Sequence, residues 1–139
     1  MENEIKKYLE QYDFINFALF FGSYVNGKAG NMSDLDIGIY CEENPDLLLL
    51  GKIIYDLEII TKKKIDLLEL KDIYKKNPAL AYRIATKHKI IFVRDNELFI
   101  EFKRRAFLYY FDTEKLRKSV RDTFYERISS KKFGKRNYA

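Results

Sequence analysis

The sequence is poor in the residues that build covalent and histidine-based sites. Among its 139 residues it has one cysteine, Cys41, and one histidine, His88. A single cysteine excludes an internal disulfide and provides no thiolate cluster for zinc. Sites that need several histidines are excluded too, and a serine triad would have to use His88 itself. Because Cys41 follows a predicted strand, we interpret it as a small buried apolar residue.

Long apolar runs are also missing. No stretch approaches the roughly 18 apolar residues that a membrane-spanning helix needs, and no internal repeat or low-complexity segment is present. The charged start, MENEIKKYLE, is unlike a secretory signal. We therefore expect a cytoplasmic protein without a membrane partner, with a chain long enough to bury its own core.

Positive charge is concentrated at one end of the chain. Residues 1–102 carry 14 Lys+Arg and 17 Asp+Glu, a net charge of −3, whereas residues 103–139 carry 12 and 4, a net charge of +8. Such an end can bind nucleic acid or an acidic protein surface. The aromatic run Phe107–Phe111 is more typical of a core than of a base-stacking platform, so nucleic acid is possible but is not the favoured partner.

Hydrophobic periodicity predicts alternating helices and strands. The predicted helices cover residues 2–11, 46–62, 78–87 and 97–128, the last as two helices or one bent helix, and the predicted strands cover 14–21, 34–41, 65–70 and 89–94. This order predicts an α/β fold with a small mixed sheet and helices packed chiefly against one face. We expect one domain over residues 1–128 and a basic, mobile tail over 129–139.

The helix over residues 46–62 illustrates how the packing is predicted. Its apolar side chains recur at helical spacing, so they should form one face against the sheet. The residues expected on that face are Leu47, Leu50, Ile53, Ile54, Leu57 and either Ile59 or Ile60.

The most informative stretch runs from Gly22 to Asp36. An apolar run ends at Gly22-Ser23, and ten residues later Asp34 and Asp36 open the next one. Side chains alternate along a strand, so the two aspartates point the same way, and such like charges favour a bound cation. Oxygen ligands suit magnesium held together with substrate phosphates. Gly22 allows a phosphate to approach the backbone and Ser23 can add its hydroxyl, which together imply a metal-bound nucleoside triphosphate.

This spacing resembles the signature of nucleotidyltransferases with a DNA polymerase beta-like fold. Among them the chain is similar to the small MNT (minimal nucleotidyltransferase) family over residues 1–128. The resemblance implies a third carboxylate from a neighbouring strand, and Asp66 matches it. It further implies that Asp34, Asp36 and Asp66 are catalytic and bind magnesium, with two ions expected, while Gly22 and Ser23 bind the substrate ATP.

The resemblance also implies a biological role. MNT proteins of this size are commonly encoded with a HEPN ribonuclease toxin, which they neutralise by adding AMP from ATP to one of its tyrosines. It therefore implies an antitoxin that forms a hetero-oligomer with a HEPN toxin. Two alternatives stay open: an antitoxin that occludes the toxin without catalysis, and a nucleotidyltransferase for small molecules, although 139 residues leave little room for the extra domain that the latter usually carries.

The glycine loop departs from the family pattern. Relatives often read Gly-Ser-x-Ala-Arg-Gly there, whereas Val25 and Asn26 occupy the middle places in this chain. Asn26 cannot supply a cation, so either another basic residue neutralises the phosphates or nucleotide affinity is modest. Arg83 and Lys87 lie four apart on a predicted helix and could reach a phosphate or a partner, although a solvated helix face is the more common explanation.

One further motif points elsewhere. Arg83 and His88 match the R-x4-H spacing of the RNA-cleaving motif in HEPN proteins. We reject that reading because the motif belongs to an all-helical fold, whereas this chain alternates strands and helices.

Overall fold

The computed structural model describes residues 1–27 and 34–133, apart from the side chains of 115–117, 119–120, 125 and 129–133. It confirms the predicted alternation of helices and strands. The elements in chain order are α1 (Glu2–Glu10), β1 (Phe17–Phe21), α2 (Ser23–Asn26), β2 (Leu35–Tyr40), α3 (Leu47–Thr61), β3 (Ile65–Glu69), α4 (Ile73–Lys76), α5 (Pro78–Thr86), β4 (Lys89–Val93) and α6 (Asn96–Phe133).

The strands form one mixed sheet, as predicted. Their order is β3-β2-β1-β4. Strand β1 pairs antiparallel with β2 and β4, whereas β2 pairs parallel with β3. A parallel neighbour requires a crossover connection, which α3 provides. The turn between β1 and β2 and the start of β3 are thereby brought to the same end of the sheet.

Helices cover both faces of the sheet, so the expectation that they pack chiefly on one face was wrong. All five residues of β1 are buried, and they alternate between two apolar layers. Ala18 and Phe20 pack with buried residues of α1 and α3. Phe17, Leu19 and Phe21 pack with buried residues of α4, α5 and α6. The unbroken apolar run FALFF is typical of a strand buried on both sides.

Helix α3 packs on the sheet through fewer residues than predicted. Asp46 caps its start, where its side chain accepts a hydrogen bond from the Leu48 N–H. Ile53 and Leu57 are fully buried, but Leu47 is 81% exposed, so its predicted packing was wrong. Leu47 is the first residue of the helix and lies more than a turn before Ile53, the first residue to be buried.

Helix α6 is one element of 38 residues rather than two helices. Asp95 caps it by accepting a hydrogen bond from the Leu98 N–H at 3.1 Å. Within this helix the Thr113 hydroxyl donates to the Tyr109 carbonyl at 2.8 Å. The helix continues to Phe133, so the first part of the predicted tail is helical, while residues 134–139 lie outside the described residues.

The first half of α6 packs on the body of the protein. Phe99, Phe102 and Ala106 are buried in the layer that α6 shares with α4 and α5. Further along, the rings of Phe107, Tyr110 and Phe111 surround Tyr82 of α5, with centroids 5.6, 4.2 and 5.8 Å away. The aromatic run therefore packs one helix against another, but none of its residues is buried and Phe111 is 54% exposed, so it lies at the edge of the core rather than inside it.

The single cysteine, Cys41, and the single histidine, His88, both pack against other residues of the protein. Cys41 is 3% exposed within an apolar layer, and burial raises the pKa of its thiol to about 12, so it is not a nucleophile at neutral pH. His88 Nδ1 lies 2.7 Å from the Ile84 carbonyl oxygen, and its ring packs edge-on against Phe99. Within the described residues, no helix combines the length and apolar character needed to cross a membrane.

Candidate active site

Two of the predicted acids meet across neighbouring strands. In the parallel register of β2 and β3, Asp36 lies opposite Asp66. Residues in register share a face of the sheet, here the face covered by α4, α5 and α6. Burial raises the pKa of Asp36, and the charge of Asp66, a hydrogen bond with Asp66 and the charge of Asp34 raise it further. The structure thus pairs Asp36 with Asp66 and places Asp34, just before β2, within electrostatic reach.

Gly22 lies against the Asp36 carboxylate. It directly follows β1, whose last residue, Phe21, is the register partner of Asp36. Its φ is +72°, and a Cβ added there would overlap Asp36 Oδ2 and lie 3.0 Å from Asp36 Cγ. Both the backbone conformation and the space therefore require glycine. The Asp36 carboxylate therefore occupies the space beside Gly22 that a side chain would fill.

Ser23 begins the one-turn helix α2. The N–H groups of Val25 and Asn26 donate to the Gly22 carbonyl at 3.1 and 3.0 Å. Gly27 ends the turn in the left-handed conformation, with φ of +74°. The rest of the loop, residues 28–33, lies outside the described residues.

A cavity of about 300 Å³ opens beside these residues. The turn after β1, strand β2 and helix α5 each contribute to its wall. The lining residues are Phe21, Gly22, Asn26, Asp36, Leu80, Arg83, Ile84, Thr86 and Lys87. Sequence reasoning considered Arg83 and Lys87 without assigning them to the site. Their four-residue spacing was a signal, but only the packing of α5 on the sheet turns that side towards Asp36.

The donors present fit magnesium only in part. Among the residues that the structure describes, no group of three or more His, Cys, Asp or Glu side chains is arranged to hold a metal ion. Asp36 and Asp66 nevertheless form an oxygen-only pair whose mutual repulsion a divalent cation would relieve. Magnesium is typically held by one or two carboxylates, with water and substrate phosphates as the other ligands. The convergence of Asp34 with this pair around a metal stays a prediction.

Helix α2 is tied to two other elements through Tyr24. The Tyr24 hydroxyl donates to Glu2 Oε2 at the start of α1, and Lys89 Nζ of β4 lies 2.9 Å from the same oxygen. The Tyr24 ring also packs on Phe20, with centroids 4.9 Å apart. This network fixes the outer side of the turn that carries Gly22.

We expect the carboxylate of Glu2 to make stability depend on pH. The hydrogen bond from Tyr24, and then that from Lys89, lower the pKa of Glu2 from 4.5. The stabilisation is therefore fully present above about pH 4.5 and is lost as the pH falls through the lowered pKa. Because the Glu2 side chain is 37% exposed, we expect less than about 1 kcal/mol. The difference in Tm between wild type and Glu2→Gln should shrink from about pH 7 to about pH 3, and a constant difference would contradict this account.

The family of the protein follows from this site and from its sequence. Residues 3–97 match the polymerase beta nucleotidyltransferase family. That range includes the glycine turn, which is the turn after β1 that begins at Gly22, together with β2 and β3, which carry Asp36 and Asp66. It ends as α6 begins. The chain therefore belongs to this family, and the predicted polymerase beta-like fold is confirmed. Among curated proteins, no significant match to the sequence is found.

Several solved structures with a similar fold come from toxin–antitoxin pairs. A toxin–antitoxin structure with AMP-PNP has a TM-score of 0.74 and 21% identity, covering 88% of this chain and 97% of that one. An MntA–HepT toxin–antitoxin structure has a TM-score of 0.68, 18% identity and coverage of 88% and 95%. The structure of the tri-AMPylated Shewanella oneidensis HEPN toxin in complex with MNT antitoxin has a TM-score of 0.67 and 16% identity. The match covers 89% of this chain and 98% of that one. The predicted likeness to MNT proteins is confirmed at the level of the fold.

Proposed function

We propose that this protein is an antitoxin that transfers AMP from ATP to a tyrosine of a HEPN ribonuclease toxin and thereby neutralises it. The pairing of Asp36 with Asp66, beside Gly22 and an open cavity, is the observation that carries the proposal. Membership of a nucleotidyltransferase family supports the reaction class. The similar folds seen with AMP-PNP and with an AMPylated HEPN toxin support the nucleotide and the partner.

The proposed reaction joins the tyrosine oxygen to the α-phosphorus of ATP and breaks the bond from that phosphorus to the leaving pyrophosphate. Phosphoryl-type transfers need in-line geometry and neutralised charge more than they need a covalent intermediate. Asp34, Asp36 and Asp66 would hold magnesium, and two magnesium ions are proposed. The bound ions would neutralise the negative charge of the polyphosphate. Gly22 and Ser23 would face the phosphates. Asp66 would accept the tyrosine proton, directly or through water.

The exposure of Asp66 supports a large acceptor. Asp66 lies on β3, an edge strand of the sheet, and its side chain is exposed, whereas Asp36 is half-buried. An acceptor can therefore approach Asp36 and Asp66 from the side of β3 while the nucleotide occupies the cavity near α5. A tyrosine on the surface of a folded protein could reach such an open side.

The test is a labelling reaction. The protein is incubated with magnesium, ATP labelled at the α-phosphate, and a HEPN toxin as the candidate partner. We expect label on a tyrosine of the HEPN protein and loss of its ribonuclease activity. The variant Asp34→Ala/Asp36→Ala should neither label the toxin nor protect cells from it. If the toxin stays unlabelled and this variant protects cells as well as wild type does, the catalytic proposal is wrong.

The long basic helix α6 favours a second candidate, an antitoxin that occludes the toxin without chemistry. The described side chains of α6 beyond Thr113 are mostly exposed. Truncation after Thr113 keeps the buried residues Phe99, Phe102 and Ala106, so circular dichroism should show a folded protein. Occlusion through α6 predicts that this truncation no longer protects cells although it still binds ATP.

A further inference from the structure

Two basic residues, Arg83 of α5 and Lys87, which caps the C-terminal end of α5, lie in the wall of the cavity that contains Asp36. Arg83 and Lys87 are one helical turn apart, and both line the cavity opposite the glycine turn. Their neighbour Ile84 is almost fully buried and holds this part of α5 on the sheet. The two cationic side chains are exposed. The helix is therefore fixed in place while its basic side chains stay accessible to a ligand.

The described part of the protein offers these two cations no ionic partner of their own. The ion pairs found there involve the N-terminal amine, Lys52, Lys89, Arg104 and Arg105. Neither Arg83 nor Lys87 forms an ion pair within residues 1–27 and 34–133. Positive side chains beside a cavity attract an anionic ligand more strongly when no internal carboxylate competes for them.

The opposite wall of the cavity carries no positive charge. Residues 22–27, the described part of the glycine turn, include no basic side chain, and Asn26 lines the cavity as a neutral amide. The remaining ionisable group there is Asp36, which is acidic. Among the described residues that line the cavity, only Arg83 and Lys87 could therefore place positive charge beside the phosphates of a nucleoside triphosphate bound at Gly22.

We propose that Arg83 and Lys87 bind the phosphates of the nucleotide and supply from α5 the positive charge that residues 22–27 lack. The inference rests on the proposed function and names residues that hold its substrate. The planar guanidinium of Arg83 can bond two phosphate oxygens at once, whereas the ammonium of Lys87 acts as a compact charge. Both would bind the nucleotide in the ground state and would take no part in bond making.

The test measures binding of ATP and adenosine by calorimetry in the presence of magnesium. Arg83→Gln and Lys87→Gln should each weaken ATP binding by about tenfold, as expected for loss of a charge-assisted hydrogen bond. Adenosine binding should stay within about twofold of wild type, because adenosine has no phosphate. In the labelling reaction the KM for ATP should rise while kcat changes little. Higher salt should narrow the difference between wild type and the variants.

Two further variants make the result specific. Lys76→Gln removes the same charge from an exposed residue of α4 that borders a different cavity, so it should leave ATP affinity unchanged. Lys28→Gln tests the basic residue of the loop that lies outside the described residues. If ATP affinity falls in Lys28→Gln and is unchanged in both α5 variants, the inference is overturned.

The outcomes also separate this inference from the proposed function. If wild type labels the toxin and the double variant Arg83→Gln/Lys87→Gln binds ATP as tightly as wild type, the inference fails and the function stands. If wild type binds ATP with the predicted dependence on α5 but labels no toxin, the inference stands and the proposed acceptor is wrong. Equal losses of ATP and adenosine binding would show that the two residues do not act on the phosphates.

Discussion

Replacing Asp36 by asparagine should reduce AMP transfer by at least about a thousandfold, because it removes the negative charge at the centre of the site. Asp36 lies between Asp66 on one neighbouring strand and Gly22 at the end of the other, and it lines the cavity. Asparagine keeps the shape but binds a divalent cation far more weakly. The measurement is transfer of label from ATP to the toxin at saturating magnesium.

The same variant should be at least as stable as wild type. Since burial and the charges of Asp66 and Asp34 raise the pKa of Asp36, its ionised form destabilises the folded state at neutral pH. Removing that charge removes the penalty, so Asp36→Asn should have an unchanged or higher Tm. Glu69→Gln is the matched control, because Glu69 is an exposed acid of β3 three residues beyond Asp66. The control should label normally, and substantial labelling by Asp36→Asn would rule out the proposed site.

Replacing Gly22 by alanine should both destabilise the protein and inactivate it. The conformation at Gly22, with φ of +72° and ψ of −148°, is one that almost only glycine adopts. The added Cβ would also overlap the Asp36 carboxylate, so Asp36 or the turn must move. We expect a loss of at least about 2 kcal/mol in the free energy of unfolding and a fall in transfer of more than about a hundredfold.

Two other glycines provide matched controls for this prediction. Gly27 has a similar φ of +74°, and no atom of the described residues lies within 4 Å of a Cβ added there, so Gly27→Ala should cost about 1 kcal/mol from backbone strain alone. Gly51 lies inside α3 with open space around it, so Gly51→Ala should stabilise the protein by about 0.5 to 1 kcal/mol. Urea unfolding measures all three. Equal losses for Gly22→Ala and Gly27→Ala would mean that the contact with Asp36 has no energetic importance.

Local patterns were sufficient to predict what lies along each strand. Alternation predicted that Asp34 and Asp36 share one face; the structure has Asp36 in β2 and Asp34 just before it, so the shared face stays a prediction. The end of the apolar run marked the turn at Gly22. The neighbour of β2 could not be predicted in this way, because pairing between strands depends on the path of the whole chain. Asp66 was therefore assigned from the family resemblance, and the parallel register that places it opposite Asp36 comes from the structure.

The errors in the prediction also have physical causes. Leu47 has the right spacing for the buried face of α3, but periodicity does not show where the sheet begins beneath a helix. Arg83 and Lys87 were visible as a pair of basic residues, but only the packing of α5 decides whether such a pair faces solvent or a cavity.

The length of α6 has a hydrodynamic consequence. A helix of 38 residues is about 57 Å long. Its last buried residue among the described side chains is Ala106, so most of that length extends past the anchored part. A monomer of this shape has high friction for its mass and should leave a gel-filtration column early, as a dimer of rounder subunits would. Sedimentation equilibrium, which does not depend on shape, is therefore the measurement that should establish how many copies of the chain associate.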